Sequence, residues 1–284
     1  MAIQIHIRVR ESDWDLEYEL AELIAEKIES KIIENRYTKS KKIANVKEFV
    51  EIVIGTSSMP CNRWIDSFVI GYYTLALHDD RLAFFILHYL KRTYSIKIID
   101  LIIYARKLSL EKNLLTLKKS FMKLEKTARE VQESGNSHLV EPEGFSGIPY
   151  DPPEGVFLEL LMNRQEFYDE FLQVVKSYLS EKLIVLDQAA LSDLFMFQNA
   201  AIAHPDGPPS EELYLNYNWI EYFAFAFNFK GSELRQGTYT YRVTDPKPSN
   251  GDPLLYLKNS FDVRGVPAFN EIRDDTGKVV FPLL

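Results

Sequence analysis

The chain has 284 residues, 46% apolar and 26% charged, the profile of a soluble globular protein long enough for one or two cores. Its 41 Asp and Glu exceed its 33 Lys and Arg, for a formal charge of −8, which argues against a nucleic-acid partner because phosphate binding needs a positive footprint. A single cysteine makes no internal disulfide, no stretch approaches the ~18 uncharged apolar residues of a membrane span, and MAIQIHIRVRESD carries no apolar leader; the expectation is a cytoplasmic chain with no membrane partner.

Ile3 to Arg10 alternates apolar and polar residues and predicts a strand. Asp13 or Asp15 then caps a predicted helix carrying Leu16, Leu20, Leu23, Ile24, Ile28 and Ile32 at helical spacing. The basic run Lys39 to Lys42 reads as a solvated loop. FVEIVI (Phe49–Ile54) predicts a second strand, ended by Gly55. Ser57 or Ser58 is the expected cap of the next helix, with Pro60 in its first turn, where a missing N–H costs little. That helix carries Trp64, Phe68, Tyr72 and Leu75 on one stripe, with Ile65, Val69 and Ala76 beside it. The sequence His78-Asp79-Asp80 breaks the pattern, and Asp79 or Asp80 is the expected cap of a helix from Arg81 to Lys91. Another helix is expected at Ile98 to Lys107.

Leu110, Leu114, Leu117, Phe121, Leu124, Ala128 and Val131 then fall at spacings of four and three, a heptad seam. It reads either as one long helix packed along its own bundle or as an oligomerising face, residues 110–131, of a free-standing scaffold protein.

Twelve of the 13 prolines and ten of the 12 glycines lie after residue 134, so composition divides the chain. The expected organisation is a helical unit with short N-terminal strands (1–134), a linker (135–155) and a helical plus α+β part (156–284). The fold class is mainly α: a helical bundle followed by a small irregular α+β C-terminal part. Helices are expected at Leu158 to Leu179 and Asp187 to Ala203, the latter stopped by His204-Pro205. Trp219 to Phe229 is the densest ring cluster and reads as core. Gly237 to Thr244 predicts a strand, Ser249 to Asp252 a turn, and Phe261 to Val266 and Lys278 to Phe281 short strands.

Chemistry is sparse. Cys61 sits near a helix N-terminus with Arg63 close by, a setting that lowers a thiol's pKa, but a lone cysteine also serves as inert packing. The five histidines show no i, i+4 pair of the kind that binds zinc on a helix. The candidate polar pocket is His78, Asp79, Asp80 and Arg81, with Cys61 as a separate thiol. No Walker A loop, GxGxxG or GxSxG occurs, and Gly144 to Gly147 fails the last spacing.

EIVIGTSSMP (Glu51–Pro60), Trp64 and the two apolar helices to LKRTY (Leu90–Tyr94) resemble the region after the barrel in cobalamin-binding radical SAM proteins. Further matching pieces are Phe197-Gln198, His204-Pro205-Asp206, Tyr217 with Tyr222-Phe223, YRVTDP (Tyr241–Pro246), Asn250-Gly251-Asp252, and Arg264-Gly265 with Ala268-Phe269. The resemblance spans roughly residues 45 to 284 and rests on loosely spaced apolar and turn residues. It implies the C-terminal accessory region of such an enzyme, a helical cap over a barrel mouth or substrate channel. The family uses a [4Fe–4S] cluster, S-adenosylmethionine and cobalamin, with three cluster cysteines in CxxxCxxC and a cobalamin motif DxHxxG. Here one cysteine is present, and the nearest histidine motif, His204 to Gly207, has Ile202 in place of the aspartate. No family catalytic residue transfers, and no cofactor is expected on this chain. The implied partner is a separate radical SAM/cobalamin core polypeptide.

Overall fold

A computed structural model describes residues 25–31, 49–56, 59–135, 138–145, 149–207, 210–227, 229–260 and 269–282. Strands β1 (Ala25–Lys31) and β2 (Phe49–Thr56) are the first elements among the described residues. Seven helices follow: α1 (Cys61–His78), α2 (Phe84–Tyr94), α3 (Ile98–Glu111), α4 (Leu115–Ser134), α5 (Pro152–Met162), α6 (Arg164–Glu181) and α7 (Gln188–Ala201). After them come β3 (Ser210–Tyr217), α8 (Trp219–Phe223) continued by a 3-10 turn (Ala224–Phe227), β4 (Gln236–Thr244), α9 (Pro253–Ser260), β5 (Glu271–Arg273) and β6 (Val279–Phe281). The protein is mainly α with a small α+β C-terminal part. No helix among the described residues is long and apolar enough to cross a membrane.

The helix expected through Ile28 is a strand at residues 25–31. It pairs antiparallel with β2, Ile28 opposite Ile52 and Ala25 opposite Thr56. Helical spacing is a weak prior, and a ladder that satisfies the backbone of both segments outweighs it. The strand at Ile3 to Arg10, the caps Asp13, Asp15, Ser57 and Ser58, the loop Lys39 to Lys42 and the strand Phe261 to Val266 lie outside the described residues.

α1 is the hub of the bundle. It buries Trp64, Ile65, Phe68, Val69, Tyr73, Ala76 and Leu77 and packs on α3, α4, α5 and β2. Pro60 is its N-cap residue, one position before the helix rather than in its first turn. Tyr73 stacks on Phe121 of α4 at 3.8 Å between ring centroids, and its hydroxyl hydrogen-bonds Ser120 Oγ at 2.9 Å. α4 ends where Gly135 takes φ 62° and donates its N–H to the Val131 carbonyl, a left-handed stop that glycine adopts without a Cβ penalty.

The heptad seam divides between two helices. Leu110 is on α3 and half exposed, and Leu114 precedes α4. Leu117, Phe121, Leu124, Ala128 and Val131 are at most 2% exposed within the chain's own core. The side chains that an oligomer would need are therefore committed to the bundle. Leu117→Ala is expected to cost about 3 kcal/mol of stability through the cavity it leaves, measured by urea unfolding, with the molar mass in light scattering unchanged.

The compositional boundary at 134 does not divide the core. α5 and α6 pack on α4, with α5 also on α1 and α6 also on α3, and one hydrophobic cluster runs from Trp64 to Phe281. Residues 152–155 of the expected linker are the first turn of α5, and an antiparallel bridge between Val140 and Tyr150 ties the rest, with both N–H···O distances 2.8 Å. The single helix expected at Leu158 to Leu179 breaks at Asn163, which is not helical (φ −113°, ψ 41°).

The C-terminal sheet is antiparallel in the order β3-β4-β5-β6. β3 packs on α7. The Trp219 to Phe229 cluster is core up to its end: Trp219 and Phe223 are buried, while Phe229 is exposed. Phe85 of α2 meets Phe197 and Phe223 at 4.9 Å and Phe281 at 5.7 Å, so the sheet and the bundle share one aromatic centre.

Candidate functional site

The polar residues singled out in the sequence do not form one site. Cys61 opens α1 and His78 closes it, 17 residues apart, which at the helical rise is roughly 26 Å. Cys61 is part-exposed, and its carbonyl accepts Gln132 Nε2–H at 2.8 Å. It belongs to a helix-end joint far from the histidine.

His78, Asp79, Asp80 and Arg81 do form a local group, in the turn between α1 and α2. Neither aspartate caps α2. That helix begins at Phe84, and its N-cap residue is Ala83. Arg81 lies between, at φ 70°, a left-handed backbone that cannot join a helix and is costly for a side chain with a Cβ. Two distant residues hold this turn. Gln198 of α7, fully buried, accepts the Phe85 N–H on Oε1 at 2.8 Å and donates from Nε2 to the Arg81 carbonyl at 3.0 Å. Tyr168 of α6 donates its hydroxyl to the Leu82 carbonyl at 2.8 Å. Gln198 thereby performs the capping that Asp79 and Asp80 were expected to perform.

The side chains of the turn diverge. His78 Nδ1 hydrogen-bonds Asp79 Oδ1 at 2.5 Å, half in solvent. The Arg81 guanidinium lies over the Phe269 ring at 4.4 Å. Asp80 points inward: it is 7% exposed, and its Oδ2 has no hydrogen-bond partner among the described residues. Burial pushes its carboxyl up to about 8, and the negative charges of Glu154 and Asp79 add to this against the pull of Arg81. His88, one turn into α2, faces His78 at 5.3 Å and Phe84 at 4.3 Å. Its Nε2 is buried without a partner, and burial lowers its pKa to about 4.

Chemically, the turn offers one carboxyl that exchanges a proton near neutral pH. The paired His78 binds Asp79 rather than Asp80. Among the described residues no hydrogen bond joins Asp80 to a hydroxyl, thiol or imidazole of the kind a general base must activate. Nor do three or more His, Cys, Asp or Glu side chains gather, among those residues, as a metal site requires.

His204 sits in the motif nearest to the cobalamin signature, and both of its ring nitrogens are engaged. Nδ1 accepts the Asp206 N–H at 2.9 Å, so the proton is on Nε2, which donates to the Leu161 carbonyl at 2.9 Å. Burial, reinforced by Arg164, lowers its pKa to about 4 and keeps the ring neutral. It has no lone pair free for cobalt. Cys61 alone supplies one thiolate where the resemblance calls for three, so the residues of this chain fit neither cofactor.

Sequence reasoning missed Asp193 as well as the clamp by Gln198 and Tyr168. Asp193 is 2% exposed on α7 and accepts from the Asn216 N–H (2.8 and 2.9 Å), from Asn216 Nδ2 (3.0 Å) and from Trp219 Nε1 (2.8 Å). A carboxylate on an otherwise apolar helical face was the available signal. No protein-family model and no curated protein matches the chain.

Proposed function

We propose that the chain is a non-catalytic accessory subunit that acts by docking on a second polypeptide. The partner is a radical SAM/cobalamin core of the kind that the resemblance implies, in the cytoplasm. The cap keeps water away from the reacting centre of that partner, and the cofactors belong to the partner.

The observation that carries the reading is the apolar turn after α6, Leu183 to Leu186. Leu183 and Val185 are 91% and 92% exposed, while Ile184 and Leu186 between and beside them lean on the core. Each outward side chain forgoes roughly 1.5–3 kcal/mol of burial. Leu183 also takes φ 56°, which costs a residue with a Cβ about 1 kcal/mol or more. The left-handed turn is offset by the helix cap it makes, in which the Ile184 N–H reaches the Leu179 carbonyl at 3.0 Å, but the exposure of the two side chains is not returned among the described residues. A paired apolar knob is what an interface centre uses as an anchor.

The test is complex formation with a radical SAM/cobalamin core polypeptide from the same genome, read by co-elution and calorimetry. Leu183→Asp with Val185→Asp is expected to weaken that complex at least tenfold while leaving the urea midpoint of the free chain unchanged. Absence of a complex, or a double variant that binds as well as the parent, overturns the reading.

A further inference from the structure

Four large apolar side chains stand outside the core on the hairpin of α3 and α4. They are Ile103 and Leu110 on α3 and Leu115 and Met122 on α4, each more than half exposed. Helical geometry puts them on one face. Residues three, four and seven apart share a side of a helix. Ile103, Arg106 and Leu110 therefore form one stripe of α3, and Leu115 and Met122, with Glu125 beside them, form one stripe of α4. The two stripes meet where Arg106 donates to Glu125 at 2.9 Å. On α4 this face lies opposite Leu117, Phe121 and Leu124, which fill the core. Single exposed apolar residues are ordinary, whereas four along one interhelical groove make a patch.

Charge is the second observation. Ile98 to Ser134 carries eight Lys and Arg against five Asp and Glu, or +3, in a chain of −8. Lys107 follows Ile103 by one turn, and Lys118 and Lys126 stand one turn to either side of Met122. Lys118 donates to the Asn113 side-chain oxygen at 3.0 Å and to no carboxylate among the described residues. Lys107 and Lys126 meet Glu111 and Glu130 only at 3.8 and 3.7 Å, the loose end of ion pairing. The apolar stripes are thus flanked by ammonium groups without a close counter-charge.

We propose that this groove receives an amphipathic helix of another polypeptide. That helix is apolar where it lies against Ile103, Leu110, Leu115 and Met122 and acidic along its edges, where it meets Lys107, Lys118 and Lys126. The apolar residues are seven apart on each helix, about 10.5 Å, the spacing of the i and i+7 anchors of a docked helix. Two other occupants fit less well. A second copy would set the same +3 hairpin against itself. A lipid bilayer would have to take Arg106 and Glu125, which sit between the stripes, into hydrocarbon. The proposal does not rest on docking through the Leu183 to Leu186 turn and uses different residues.

The test uses the full chain and two fluorescently labelled three-heptad peptides. They are identical except at the positions flanking the apolar seam, which carry Glu in one and Lys in the other; like charges keep each from pairing with itself. In fluorescence anisotropy the Glu peptide is expected to bind saturably, at least tenfold more tightly than the Lys peptide, and to weaken as salt rises. Leu110→Ser with Met122→Ser is expected to weaken it at least tenfold with the urea midpoint of the free chain unchanged, since neither side chain is in the core. Lys118→Glu with Lys126→Glu is expected to reverse the order of the two peptides. Binding of neither peptide, equal binding of both, or a Leu110–Met122 variant that binds as well as the parent overturns the proposal. So does a dimer in light scattering that the same variant dissociates, or capture of the chain by phosphatidylglycerol vesicles in preference to the Glu peptide.

Discussion

Asp193→Ala is expected to remove about 5 kcal/mol of folding stability. The carboxylate is buried on α7 and receives three donors: the Asn216 backbone N–H, the Asn216 side-chain amide and the Trp219 indole N–H. Hydrogen bonds to a charged acceptor contribute roughly 1.5–3 kcal/mol each, and removing one partner of a buried charged network costs about 3–5 kcal/mol because the other groups stay desolvated. All three donors belong to the end of β3 and the start of α8, so the network joins the sheet to the bundle. Asp193→Asn keeps an accepting oxygen without the charge and is expected to fall between the two. Trp219→Phe removes one donor and is expected to cost about 2 kcal/mol. Urea unfolding of the three variants decides. A loss below about 1 kcal/mol for Asp193→Ala would mean that water reaches those donors and that the joint rests on apolar contact alone.

How much of this was legible follows from where each interaction lies along the chain. The helix faces were legible because burial repeats every three or four residues: Trp64, Phe68 and Val69 on α1 and Leu117, Phe121 and Leu124 on α4 are all core. A side-chain cap leaves a trace in the sequence only where it is local, and neither local aspartate was read as one. Asp187 accepts the Ala190 N–H at the start of α7, and Asp252 accepts the N–H groups of Leu254 and Leu255 at the start of α9. The same Asp252-Pro253 pair was read only as part of a turn, although an aspartate before proline is also a helix start. The other caps come from far away. Gln198 caps α2 from 113 residues on, and Glu170 of α6 takes the N–H groups of Thr116 and Leu117 at the start of α4. No spacing rule along the sequence reports such a pair, which is why Asp79 and Asp80 were credited with the cap. β3 was missed although Leu213, Leu215 and Tyr217 alternate inward; its first three residues are exposed and polar, which hid the period. The candidate site was legible as a group of residue types and not as a geometry. His78, Asp79, Asp80 and Arg81 are neighbours in sequence, but the left-handed Arg81 turns them in different directions.

The pH dependence of stability is expected to pass through a maximum near pH 6.5, and Asp80 sets its alkaline side. Folded Asp80 holds its proton up to about pH 8, against 3.8 for an ordinary aspartate. The folded state therefore binds a proton that the unfolded chain has released. The contribution of Asp80 is complete below 3.8 and is lost as pH rises through 8; a shift of this size corresponds to roughly 6 kcal/mol in all. His88 and His204 act with the opposite sign. Both are lowered from 6.5 to about 4, so their contributions are complete above 6.5 and are lost as pH falls through 4, each reduced by the water that reaches the ring. Between about 4 and 6.5 two histidines favour rising pH and one aspartate opposes it, so stability climbs. Between about 6.5 and 8 Asp80 is no longer opposed by these two histidines, and stability falls by about 2 kcal/mol. Asp80→Asn removes the proton and with it the falling limb: its stability is expected to be level above about pH 6.5 and to climb more steeply below. His204→Gln is expected to flatten the acid side and leave the alkaline side alone. Urea midpoints measured from about pH 4.5 to 8.5 for the three proteins separate these limbs. A wild type as stable at pH 8 as at 6.5 would mean that the Asp80 carboxylate is solvated where its geometry places it against Glu154, and the carboxyl of the α1–α2 turn would then be an ordinary surface charge with no proton to exchange near neutrality.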